Sequence, residues 1–197
     1  MKFTRIPESA FKELVLNAGY LATTFDPTAG TAPEESALLG ATTGGINFTA
    51  VPSFTDFGED IDNCPKNMKE LKQIEFWDVK CSGTYVSASA ENAKSMLGAA
   101  DVTTTSKVSK ITPRNDLKNS DFTDLWLLCD YSDKHGTTNG GFCAIHMLNT
   151  LSTGGFSLQT GDTKKGQMSF EYTAHYSITA QDTVPCEVYI KAGEDEA

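Results

Sequence analysis

Apolar and polar residues alternate with a period of two over much of this chain, the pattern of strands half-buried on a sheet. Ile46, Phe48 and Ala50 alternate after a Gly44-Gly45 pair, so a strand is expected to leave a turn there. Pro52 has no amide proton to give a ladder and is expected to end regular pairing. Residues 52–72 then read as a long charged excursion, and the chain returns as a β-favouring run over 74–85. Farther on, residues 125–131 and 141–149 read as a hairpin closed by a turn around His135. Gly154-Gly155 turns the chain into 156–160, and residues 161–166 turn it again into 167–178. Four neighbouring strands joined by Gly- and Asn-bearing turns predict an antiparallel meander. Residues 184–191 form a last strand before a frayed acidic tail.

The period changes to 3.6 at residues 89–100. Ser89 is a ready cap there, and Ala90, Ala93, Leu97 and Ala100 share one face. Near the start, residues 7–16 read as a short helix opened by Pro7 and stopped at residues 17–19, with 20–25 extended. The same region also reads as an arm that lies on a neighbouring copy. Residues 101–116, rich in Thr, Val and Ile, read as one exposed strand that Pro113 ends. The expected fold is mainly β, with two packed antiparallel sheets (a sandwich or partly closed barrel) and one flanking α-helix. One domain over 1–197 is expected, with an N-terminal arm over 1–36 and a long inter-strand loop over 52–72.

Charge narrows the choice of partners. Twenty-six acids against 16 bases give a formal net charge of −10, which repels nucleic acid and argues against a phosphate-binding module. No apolar run reaches the length of a membrane span, and the N-terminus lacks the apolar block of a signal peptide. Cytoplasmic synthesis and residence are therefore expected. Five cysteines without a Cys-x-x-Cys pair are expected to be reduced and mostly buried, with Cys129 and Cys143 near neighbours but unbonded.

Candidate chemistry is sparse. His146 and His175 fall on strands where two histidines and a carboxylate would be needed to share a metal, and alternation places polar residues together by chance. No nucleophile elbow, phosphate loop, dinucleotide fingerprint or zinc-protease motif occurs, so no catalytic residue, cofactor or metal is assigned. The acidic stretch with Asp56, Glu59, Asp60 and Asp62 departs from calcium-loop spacing and lacks its closing Glu. Lys66, Lys69 and Lys72 follow at helical spacing, given a helical turn over residues 65–71. An acidic loop beside a basic ridge suits head-to-tail docking of identical subunits. These seven residues are the candidate subunit contacts. Phe54, Phe57, Phe76, Trp77 and Trp126 read as core or interface anchors rather than a sugar platform.

Three segments carry a family resemblance in order and spacing. They are NAGYLATTFDP (17–27), the run from GGINF through GEDIDN to KELKQIEFWDVKCSGT (44–84), and GGFSLQT with KKGQMSFEYTAHYS (154–177). Together they resemble the major tail protein of long-tailed bacteriophages, the subunit that stacks into the tail tube. The resemblance implies two packed antiparallel sheets flanked by a helix. It also implies hexameric rings stacked into a hollow tube in the virion, assembled in the host cytoplasm. Implied partners are further copies of the chain and the tape-measure, tail terminator and baseplate proteins. DNA would pass through an acidic lumen without specific binding. Residues 52–72 and the arm would order on contact with neighbours. A stand-alone β-sandwich binding or decoration module is the rival reading, and an enzyme using scattered Asp and His residues is a second.

Overall fold

The computed structural model describes residues 6–131 and 140–193. The expected turn around His135 and the acidic tail over 194–197 lie outside the described residues. In chain order the strands are β1 (Val15–Ala22), β2 (Thr42–Asp56), β3 (Lys72–Tyr85), β4 (Ala100–Thr105), β5 (Val108–Pro113), β6 (Thr123–Tyr131), β7 (Gly141–Ser152), β8 (Met168–Thr173) and β9 (Cys186–Lys191). Among the described residues a single α-helix, α1 (Ala90–Leu97), follows β3.

Among the described residues all pairings are antiparallel, and in the seven-stranded sheet six strands run in the order β1-β6-β7-β8-β3-β2, with β9 joining as the seventh on β7. One edge of β7 is shared. β9 pairs with it over Phe142–Met147, and β8 joins only at Leu151 and Ser152. The sheet thus splits at β7 into two halves, β1-β6-β7-β9 and β8-β3-β2. Alternate side chains turn the inner faces of the halves toward each other. Leu21, Leu125, Leu127 and Met147 from one half meet Val79, Cys81, Tyr85, Phe170 and Tyr172 from the other, with Met96 of α1 joining them. A smaller cluster of Ala22, Trp126, Leu128 and Ala144 covers the back of the first half, with Phe25 packed on it. The expected coarse class, mainly β with packed antiparallel layers and one helix, describes this architecture.

Several local expectations need correction. Gly44 and Gly45 do not turn the chain. They sit inside β2 at φ +78° and +83°, where the register with β3 shifts, and so form a bulge that only glycine adopts without strain. Pro52 does not end pairing, because it stands opposite Trp77 and the ladder runs on to Asp56. Trp77 turns its amide the other way, donating to the Tyr176 hydroxyl at 2.9 Å. Position 52 therefore faces its missing proton to the open edge of β2, the one place a sheet tolerates proline. The inter-strand loop shortens to residues 57–71.

At the N-terminus the short helix is a 3-10 turn over Glu8–Lys12, and residues 17–19 lie within β1 as an irregularity with Asn17 at φ 63°. Residues 15–22 of the expected arm pair with β6 of their own chain. The Thr-rich stretch is a separate hairpin of β4 and β5 turned at Ser106 (φ 57°), not one strand. Arg114 at its base reaches Asp101 at 3.1 Å and Asp121 at 2.6 Å. The meander is also interrupted. Residues 156–160 contribute only a Gln159–Gln167 bridge, and β8 leaves β7 to pair along β3.

The helix is capped as expected, with the Ser89 side chain accepting from the Asn92 amide at 3.0 Å, and it ends at Gly98 (φ 68°). Its buried face is Asn92 and Met96 rather than the alanine stripe, and Ala100 belongs to β4. Cys129 and Cys143 are direct partners across β6 and β7, and all five cysteines are free thiols. Leu148 donates its amide to Pro185, so by alternation Cys143 turns its amide to β6. The two cysteines therefore form the wider, hydrogen-bonded type of pair, which keeps their side chains apart. Only Cys81 is fully buried, and burial pushes its thiol up to about 12.

Candidate assembly interface

Strands β2 and β3 are 15 and 14 residues long. At about 3.3 Å per residue they extend roughly 50 Å, farther than the core they serve. Ile46, Phe48 and Ala50 pack at the core margin. Past that margin the hairpin continues with apolar side chains on both faces. The pair Phe54–Ile74 lies on one face, following Pro52 and a Trp77 that still packs on the core, and Ser53–Phe76 lies on the other beside Val51. Val51, Phe54, Ile74 and Phe76 are 56%, 51%, 51% and 47% exposed, and Phe57, Ile61 and Met68 at the tip are exposed as well. The outer edge of β2 carries no neighbour among the described residues.

The tip is held by one carboxylate. Asp56 Oδ1 accepts from the Gly58 amide and Oδ2 from the Asn67 amide, both at 2.9 Å. Those two bonds, with Lys72 and Lys66 nearby, hold the Asp56 carboxyl below its ordinary value. The Phe57 amide donates to the Leu71 carbonyl at 3.0 Å and closes the base of the turn. Asn63 and Asn67 take left-handed backbone positions at φ 61°, which their short polar side chains tolerate. No helix forms over residues 65–71, so Lys66, Lys69 and Lys72 make no helical ridge.

The seven candidate contacts therefore separate. Asp56, Glu59, Lys66 and Lys72 surround a shallow cleft of about 400 Å³ on one side of the tip. Lys72 Nζ also lies 4.8 Å above the Phe54 ring. Lys69 stands 90% exposed, 3.5 Å from Glu70. Asp60 and Asp62 are exposed on the turn and line none of that cleft. Asp56 is a structural anchor rather than a free docking charge.

The chain matches no protein-family model, and a search of the curated proteins finds no match.

Other polar groups do not converge. His146 stacks on Trp126 (3.9 Å between centroids, 6° between planes) and reaches Asp124 at 3.2 Å and Glu187 at 3.6 Å. His175 instead contacts the Asn149 carbonyl and packs edge-on to Phe122. Among the described residues, no three His, Cys, Asp or Glu side chains converge as ligands of one ion. Sequence reasoning put the charges of the tip first, read Phe54, Phe57 and Phe76 as core or interface anchors without separating the two, and did not single out Val51 or Ile74. The signal was present in part: Val51 and Phe54 fall on opposite faces of β2 by alternation, whereas Ile74 and Phe76 part only because the register shifts between Ser53 and Phe54.

Proposed function

We propose that this chain is a tail-tube subunit of a long-tailed bacteriophage, a structural virion protein whose copies form rings, hexameric by family resemblance, that stack into a hollow tube for DNA delivery. The observation that carries this reading is the β2–β3 hairpin, which extends beyond the core with exposed apolar side chains on both faces and an open strand edge. A monomer gains nothing from such an element, since it exposes apolar area and unpaired backbone groups that favour association. A neighbouring copy that covers it recovers about 25 cal/mol for each Å² of apolar surface buried. The sequence resemblance supplies the kind of assembly, and the net charge of −10 suits a lumen that DNA crosses without adhering. Tape-measure, terminator and baseplate proteins are the partners this role requires.

Negative-stain electron microscopy of concentrated protein tests the proposal. Stacked rings with an open channel are the expected result, and replacing Phe54 and Phe76 together by Ser should leave dispersed, folded subunits. Uniform small particles from the wild-type chain, both alone and co-expressed with the genes beside it, would overturn the reading in favour of a stand-alone binding module.

A further inference from the structure

A second cleft, of about 310 Å³, lies beneath α1, against β6, β7 and β8. That volume is at the lower end of the range for small-molecule sites. Neither β2 nor β3 contributes to it, so a ligand held there is independent of the assembly role. Its floor is Leu39 and Leu125, both buried. Its walls are hydroxyls whose hydrogen bonds are fixed. Thr150 Oγ1 donates to the Thr123 carbonyl at 2.5 Å, and Ser152 Oγ donates to the Met96 carbonyl at 2.7 Å. Each hydroxyl has one proton, so these two can now only accept. Ser95 Oγ and the Tyr172 hydroxyl share one bond at 2.9 Å, which uses one of their two protons and leaves the other to donate.

Charge then selects the ligand. Glu91 and Lys94 stand on the rim with opposite signs, and the Asp121 carboxylate bonds Arg114 at 2.6 Å, a guanidinium that it shares with Asp101 and Asp116. The slight excess of acid disfavours an anion, whereas a neutral molecule with many hydroxyls finds acceptors, a donor and an apolar floor for its C–H face. We propose that this cleft is a binding site for a small neutral polyol ring of monosaccharide size. The hydroxyl walls hold its ring hydroxyls, and Leu39 and Leu125 carry its apolar face.

Ligand-observed saturation-transfer NMR tests this on the full chain, and it works on free subunits and large assemblies alike. Methyl glucoside is the probe and spermidine the cationic comparison. Saturable transfer to methyl glucoside is expected. Thr123→Val removes a cleft hydroxyl that makes no side-chain hydrogen bond among the described residues, so it should weaken binding about five- to tenfold without unfolding the chain. Thr123→Phe should fill the cleft and abolish the signal. The proposal is overturned by absence of saturable transfer to methyl glucoside. Transfer that persists in Thr123→Phe, or spermidine displacing the glucoside at lower concentration, overturns it equally.

Discussion

Asp56 shows how one side chain changes the meaning of a region. In the sequence it is the first of a run of acids, and a run of acids reads as solvated surface. In the fold it closes the tip by accepting from two backbone amides. Its carboxyl is held low chiefly by those bonds, so it favours the closed tip above the ordinary carboxylate value and loses that contribution as pH falls through the lowered one. Protection of the Gly58 and Asn67 amides, referred to the intrinsic exchange rate at each pH, should hold at neutral pH and fall as pH drops below the ordinary carboxylate value of about 4. Asp56→Asn should speed exchange at the same amides severalfold at neutral pH, because its single accepting oxygen keeps one bond in neutral form and loses the other. Hydrogen exchange by NMR on a dispersed subunit reads both. Unchanged protection at Gly58 and Asn67 in the variant would remove Asp56 as the anchor. The expectation that all of 52–72 stays unstructured until contact no longer holds at its ends, since Pro52 and Asp56 already pair with Trp77 and Lys72.

Elements were legible where their signals are local. Ser89 followed by helical spacing marks α1, and replacing Ser89 by Ala should cost about 1 kcal/mol, seen as a lower midpoint in thermal or urea unfolding. An unchanged midpoint would mean the helix is held by Met96 packing alone. The β6–β7 hairpin was equally plain, down to the apposition of Cys129 and Cys143. What stayed hidden depends on distant partners. FSLQT over 156–160 has strand composition, yet Phe156 and Leu158 are exposed and only Gln159 finds a bridge. β8 pairs with β3, which lies some ninety residues earlier, and no turn residue encodes that choice. Ser106 supplies a positive φ where Gly or Asn would have announced a turn, so β4 and β5 read as one strand. Most strands were therefore readable one by one, those of 101–116 and 156–160 were not, and strand order was not readable at all. At the candidate site the charges were readable, but their division between anchoring the tip and facing solvent was not.

At the scale of the molecule, the tip charges and the apolar hairpin predict different kinds of failure. If copies dock head to tail, the exposed lysines meet acids of the next ring, on a chain that carries 26 acids against 16 bases. Reversing Lys66, Lys69 and Lys72 together would confuse two effects, because Lys72 lies over Phe54 and helps hold Asp56 ionised. Lys66 and Lys69 are the cleaner pair, since Lys66 acts on Asp56 less than Lys72 does and Lys69 is 90% exposed, 3.5 Å from Glu70. Lys66→Glu with Lys69→Glu should leave the subunit folded, with an unchanged circular-dichroism melt, and should block tube growth at low salt. Added salt weakens wild-type stacking if these contacts are electrostatic, because exposed charges are screened beyond about 8 Å at physiological ionic strength. Apolar docking by Phe54 and Phe76 responds in the opposite sense and persists in salt. Sedimentation across a salt series separates the two. Tubes of the double lysine variant that form normally at low salt would leave the apolar hairpin as the sole driver of assembly and remove the charged tip from the interface.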